Sequence, residues 1–248
     1  MSDIASRRSI EIDFWRTSPD ESPEADSLRN VVNKAAEAEV FLACIDRHRG
    51  RLATSGRVLE LGGGQGWASC IYKKLFPETR VTATDISPYA VMSLRKWEHI
   101  YGVKVDNAYH CTSDAIPEPD ASLDQVFCFA AAHHFVAHEA TLLEIARVLK
   151  PGGRAFYFHE PATPRFFYRA ARDRVMRKRP EVPEDLLITP DMHQFAGRAG
   201  LRCIVDHDPS VLRRGALETI YYLMLGRLAF LQPMLPCSTH FVFEKPAR

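Results

Sequence analysis

Residues 58–67 read Val58-Leu59-Glu60-Leu61-Gly62-Gly63-Gly64-Gln65-Gly66-Trp67, and this stretch decides the fold. The apolar run Arg57–Leu61 has the length and composition of a buried strand, and Trp67–Phe76 has those of the helix that follows it. Glycines between a strand and a helix let a ligand come close to bare backbone at a helix N-terminus. The spacing is GxGxG. In a dinucleotide fold it would be GxGxxG, and Trp67 stands where close helix–strand packing would ask for a small residue. The loop therefore reads against a pyrophosphate ligand.

Working outward, the same alternation continues. Val81–Thr84 reads as a second strand, and Ser87-Pro88 supplies an N-cap and a first-turn proline for a helix reaching about Tyr101. Asn107–Thr112 and Gln125–Ala130 are the third and fourth strands. A helix from about His138 is stopped at Lys150-Pro-Gly-Gly153, and Arg154–Phe158 is the fifth strand. Thr189-Pro190 reads as the cap of a further helix, Arg202–Asp206 as a sixth strand and Thr239–Glu244 as a seventh. Strand–helix alternation of this kind predicts parallel βαβ units. Residues 1–55 read as an N-terminal helical cap or extension, and residues 56–248 as one domain with insertions at about 161–188 and 211–235.

Three carboxylates fall at strand ends: Glu60 before the glycine loop, Asp85 after the second strand and Asp114 after the third. In an open α/β sheet those ends face one crevice, and an acidic residue after the second strand can accept from both hydroxyls of a ribose. The set predicts a ligand that is cationic and carries a ribose.

The string Glu60–Gly66, the Asp85 position, Ser113-Asp-Ala115, the strand entry at Leu123-Asp-Gln-Val-Phe127, the turn Ala132-His-His-Phe135 and Arg147-Val-Leu-Lys-Pro-Gly-Gly153 together resemble the class I S-adenosylmethionine-dependent methyltransferases. The resemblance is to their small-molecule branch, which includes the ubiquinone and menaquinone methylases. It implies a Rossmann-like α/β fold: a seven-stranded, mostly parallel sheet with helices on both faces and the last strand antiparallel. It also implies S-adenosylmethionine as cofactor and S-adenosylhomocysteine as product. By position, Gly62, Gly64 and Gly66 would lie under the methionine half and Glu60 near its amino group. Asp85 would hold the ribose diol, with Ile86 packed on the adenine and Asp114 and the Ala115 amide reading the adenine edge. Ala130 would offer its carbonyl, while Trp15 and Arg16 would fold over the site from the N-terminal segment.

Methyl transfer from a sulfonium needs mainly alignment, and a hydroxyl acceptor adds the need for a base. His134 is the first candidate, with His133, Glu160 and His159 behind it. The expected acceptor is a small molecule, apolar or aromatic in part, or anionic. RNA is the alternative acceptor, suggested by Arg165, Arg169, Arg172, Arg174, Arg177, Lys178 and Arg179 against Asp173 alone. A non-catalytic S-adenosylmethionine-binding regulator is a third reading, disfavoured by the intact carboxylate set. A nicotinamide oxidoreductase is remoter still.

With 32 basic and 31 acidic residues the chain has a formal charge of +1, which argues against a general nucleic-acid coat. Six scattered cysteines without CxxC or metal-type spacing predict reduced thiols, no metal and a cytoplasmic setting. Met1–Ile10 lacks the apolar core of a signal peptide, and Ile220–Leu235 is too interrupted for a membrane span. A homo-oligomer is left open.

Overall fold

The computed structural model describes residues 2–178 and 185–247. Two helices lead: α1 (Ser2–Thr17) and α2 (Leu28–His48), the second capped by the Ser27 hydroxyl accepting from the Asn30 N–H. The sheet then begins. β1 (Gly56–Leu61), α3 (Trp67–Leu75) and β2 (Thr79–Asp85) come first, followed by α4 (Pro88–Met92), α5 (Leu94–Tyr101) and β3 (Asn107–His110). β4 (Leu123–Phe129), α6 (His138–Val148) and β5 (Leu149–Thr163) complete the parallel half. α7 (Tyr168–Lys178), β6 (Leu187–Ile188), α8 (Thr189–Arg198), β7 (Arg202–His207), α9 (Ala216–Arg227) and β8 (Cys237–Glu244) follow.

The strand order is β3-β2-β1-β4-β5-β8-β7, parallel throughout except for β8, which runs antiparallel to both neighbours. The expected Rossmann-like sheet with an antiparallel last strand is thus present. An eighth strand is added among the described residues. β4 pairs with β5 as far as Phe129 opposite Phe158, so β5 has an open edge beyond that point. The two-residue β6 takes up that edge opposite Ala162 and Thr163. Both ends of the span 161–188 therefore belong to the sheet, and residues 179–184, Arg179 among them, lie outside the described residues.

The central strands are buried on both faces, which is why they read as near-continuous apolar runs. Val58, Val81, Phe127, Phe156, Phe158 and Val242 point to one side, where α2 and α3 bring Phe41, Ile45, Trp67 and Tyr72. Leu59, Leu61, Val126, Tyr157, Phe241 and Phe243 point to the other, under Leu142, Ile145 and Val148 of α6 and Met192 and Ala196 of α8. Helices therefore cover both faces.

Two local expectations need correcting. The helix expected from Ser87 to Tyr101 is broken at Ser93, whose N–H donates to the Ala90 carbonyl and tightens the turn between α4 and α5. Thr189 is no cap. Ile188 holds the N-cap position, and Thr189 and Pro190 are the first helical residues. In the 211–235 span, Tyr222 and Leu225 pack with Cys237 in a small separate cluster, while Leu217, Ile220, Leu223 and Phe230 are exposed. Among the described residues no helix is long and apolar enough to cross a membrane.

Candidate active site

The glycine loop leaves β1 in a conformation that side chains resist. Gly62 and Gly64 have φ of +69° and +55°. The Gly63 N–H donates to the Thr84 carbonyl at 2.7 Å and the Gly64 N–H to Asp85 Oδ2 at 2.8 Å, so the end of β2 fixes the loop's shape. Above it lies Trp15 of α1, buried, and a Cβ on Gly64 would stand only 3.0 Å from two atoms of its ring. Trp15 Nε1 is buried and finds no acceptor among the described residues. Gly62 is similarly bare beneath Phe135 and Ala131. Loop and indole frame one end of a cavity of about 960 Å³.

Asp85 faces that cavity from the end of β2, and its second oxygen accepts from the Ser87 N–H at 2.8 Å. Burial pushes its carboxyl up to about 6, against the pull of the Ser87 and Gly64 donors. Ile86 lines the cavity beside it, as does Ala130 after β4. Ala130 holds a left-handed φ of +46°, and His159, next to it on β5, one of +56°. Such conformations in residues with a Cβ are stored strain that the surrounding strands must enforce.

Other expected residues are placed differently. Glu60 turns away from the cavity: its Oε2 accepts from the N–H and the hydroxyl of Ser69 on α3, and its side chain packs beneath Gly63. Burial pushes its carboxyl up to about 8 despite those donors. Glu60 is thus a strut between β1 and α3, not a wall of the cavity. Gly66 is the left-handed N-cap residue of α3, packed on Leu94. Cys111, Thr112 and Ser113 line the cavity after β3, while Asp114 and Ala115 lie beyond its lining. The Ala115 N–H already donates to the Thr112 carbonyl at 3.2 Å. Arg8 of α1 grips both oxygens of Asp114 at 2.7 Å. Arg16 pairs with Asp13 at the surface, so of the two only Trp15 lies over the loop.

After β4 the turn Ala132–His134 brings both histidines to the cavity. Glu160 is fully buried and outside the lining, which removes it as a group that could touch an acceptor. Its carboxylate instead collects the N–H groups of Ala131, Ala132 and His133 and stands 2.9 Å from His133 Nδ1. Burial raises its proton affinity, but the His133 ring and those amides outweigh it and hold the carboxyl below the usual glutamate range. His134 has a looser companion in Glu11 of α1, at 3.7 Å.

Several site residues escaped sequence reasoning. Arg8 and Glu11 carried no signal, because their partners lie more than 100 residues away. Gln65, inside the quoted loop, ties three elements: it donates to the Glu21 carbonyl and accepts from Asn30 of α2 and Trp97 of α5. Among the described residues no cluster of three or more His, Cys, Asp or Glu could hold a metal ion.

Residues 59–157 match the family model described as a methyltransferase domain. This stretch is a methyltransferase domain. The malonyl-[acyl-carrier protein] O-methyltransferase of Hahella chejuensis is 31% identical over 153 residues, covering 54% of this chain and 52% of that protein. The ubiquinone biosynthesis O-methyltransferase of Xanthomonas euvesicatoria pv. vesicatoria is 34% identical over 118 residues, 47% of this chain and 48% of that one. The chain thus spans about half the length of these curated relatives. Among solved structures, the geranyl diphosphate C-methyltransferase of Streptomyces coelicolor A3(2), determined with S-adenosyl-L-homocysteine, superposes with a TM-score of 0.68 over 96% of this chain and 98% of that one, at 12% identity. The methyltransferase domain carries the glycine loop, Asp85 and the His133 turn. α1, which brings Trp15 and Arg8 to the site, and α2 lie outside the matched residues.

Proposed function

We propose that the protein is an S-adenosylmethionine-dependent methyltransferase acting on a small-molecule acceptor. The observation that carries this reading is the juxtaposition at one end of the cavity. Two glycines with left-handed φ, the Asp85 carboxylate and the unpartnered Trp15 Nε1 together make a cradle for an adenosine-bearing cation. A side chain at Gly62 or Gly64 would fill it. Asp85 is the residue for the ribose diol and Ile86 for the adenine face. The Gly62–Gly64 backbone and Trp15 would enclose the remainder. The bound cofactor would supply a methyl group already activated on a sulfonium.

The chain's own contribution is alignment and, for a hydroxyl acceptor, proton removal. His133 is better placed for that than His134. The anionic Glu160 at 2.9 Å holds the Nδ1 proton, which fixes the tautomer with Nε2 basic and stabilises the imidazolium that forms. Glu160 acts here as a positioning residue. A small-molecule acceptor is favoured over RNA by the partial compensation of the basic segment. Arg165 pairs with Asp191, Arg172 lies 3.9 Å from Asp185 and Arg174 3.5 Å from Glu218. A free basic stripe would be needed to grip phosphates.

Calorimetric titration with S-adenosylmethionine, S-adenosylhomocysteine and NAD tests the reading. Saturable binding of the first two and none of the third is expected. Absence of binding by both sulfur ligands would refute it.

A further inference from the structure

The cavity continues past the glycine loop toward β5 and β8, where His159, Pro161, Val175, Leu212, Arg213, Arg214 and Ser238 line it. Across the whole lining there are six basic side chains (Arg7, Arg8, Arg29, Lys34, Arg213, Arg214) against four acidic ones (Glu11, Glu21, Glu37, Asp85). Pairing narrows the choice. Lys34 lies between Glu21 and Glu37 at 3.1 and 3.3 Å, Arg213 is 3.7 Å from Glu37, Arg8 holds Asp114, and Arg29 is a solvent-facing residue 3.8 Å from Asp20.

Arg7 and Arg214 have no acidic partner among the described residues, and only Arg214 is held in place. Its Nε donates to the Ser210 carbonyl at 2.6 Å, its Nη2 donates to Ser238 Oγ at 2.9 Å, and its guanidinium lies 3.3 Å from the centroid of the Tyr222 ring. Nη1 makes no hydrogen bond among the described residues. A guanidinium locked in place by its own protein, with Nη1 unused on a residue that lines the cavity, is pre-organised for an anion.

We propose that Arg214 is the subsite for a carboxylate on the methyl acceptor, which makes the acceptor an amphipathic carboxylate. The inference rests on the methyltransferase reading above and deepens it. A single guanidinium matches one negative charge, since the neighbouring Arg213 is already engaged by Glu37 and the Asn33 carbonyl. Phe129, Pro161, Val175 and Leu212 supply apolar wall to the cavity that Arg214 shares with the glycine loop. The anionic Asp208 nearby does not repel such a ligand. It lies outside the lining, and the Ser210 N–H, His240, His159 and Arg47 surround it at 3.1 to 3.6 Å. A carboxylate gripped by a guanidinium is a weakened nucleophile, so it serves as the handle and another atom receives the methyl group. Strand order sets the spacing. β4, which ends beside Ala130, and β8, which begins beside Ser238, are separated by β5, and two strand spacings are about 10 Å.

The test is calorimetric titration of the full chain, saturated with S-adenosylhomocysteine, with octanoate, octanol and octyl phosphate. Octanoate should bind roughly ten- to a hundredfold tighter than octanol, the worth of one charge-assisted pair. Arg214→Gln should erase that difference and leave octanol unchanged, and Arg214→Lys should keep part of it. Retained S-adenosylhomocysteine affinity in both variants shows that they fold. Equal binding of octanoate and octanol, or an octanoate preference that survives in Arg214→Gln, overturns the subsite. Octyl phosphate binding tighter than octanoate overturns the carboxylate class. Failure of the methyltransferase reading is distinguishable, because S-adenosylhomocysteine itself would then not bind.

Discussion

The contact between Trp15 and Gly64 is the joint through which α1 meets the glycine loop, and a double-mutant cycle measures it. Gly64→Ala places a Cβ at φ +55°, a strain of about 1 kcal/mol for an alanine. The same Cβ lands 3.0 Å from Cη2 and Cζ2 of Trp15, so the indole and the end of α1 must lift, an overpacking cost of about 1–2 kcal/mol. Trp15→Ala by itself removes a buried indole at about 3 kcal/mol. In the double mutant the clash is gone, and the backbone strain and the lost indole remain. The four proteins should therefore show a coupling of about 1–2 kcal/mol, with the double mutant more stable than the sum of the singles implies. Urea unfolding followed by circular dichroism reads the stability cycle, and S-adenosylhomocysteine calorimetry reads the same cycle in affinity. Additivity within about 0.5 kcal/mol in both would show that Trp15 does not rest on the loop, and the assignment of α1 to the site would fall.

Three further outcomes are expected. The Asp85 carboxyl sits at about 6, above an ordinary aspartate, so its contribution to folding is present at low pH and lost as pH rises through that value. Its ionised form is the one that accepts from two ribose hydroxyls, so S-adenosylhomocysteine affinity should fall below about pH 6 and lose this dependence in Asp85→Asn; a flat profile from pH 5 to 8 contradicts the role. Glu160→Gln turns an amide N–H toward donors that now meet a carboxylate, and should cost about 3 kcal/mol in urea unfolding, with a change below about 1 kcal/mol counting against its place as the hub of the post-β4 turn. Cys111 lines the cavity with its thiol pushed up to about 11 by burial, so iodoacetamide should modify it slowly and S-adenosylhomocysteine should protect it further; equal rates with and without ligand, measured by mass spectrometry of the labelled peptide, would remove Cys111 from the site.

Much of the sheet was legible because its signals are local. Val58–Leu61, Val81–Thr84 and Gln125–Phe129 are short runs dominated by apolar and β-branched residues, so their strand character needs no partner to be seen. Ser87 caps α4 as its sequence suggests, with its hydroxyl accepting from the Ala90 N–H. The site was legible only in outline. Gly62, Gly64, Asp85, Ile86 and Ala130 reach the cavity because a short strand end allows few other directions. Glu60, Glu160 and Asp114 do not, because the competitor for each carboxylate comes from elsewhere: Ser69 on the next helix, the amides after β4, and Arg8 from 106 residues upstream.

What the sequence by itself determined is the alternating α/β order and the bare backbone of the loop between β1 and α3. Both follow from periodicity and from the steric freedom of glycine, which act within a few residues. The tertiary structure decided which charges remain available. Burial and long-range pairing turn Glu60 and Glu160 into struts, commit Arg8 to Asp114 and leave Arg214 without an acid while fixing it against Tyr222. A side chain's chemistry is written in its residue type, but whether that chemistry faces a ligand depends on what else reaches it first, and those neighbours are set by the packing of the whole chain.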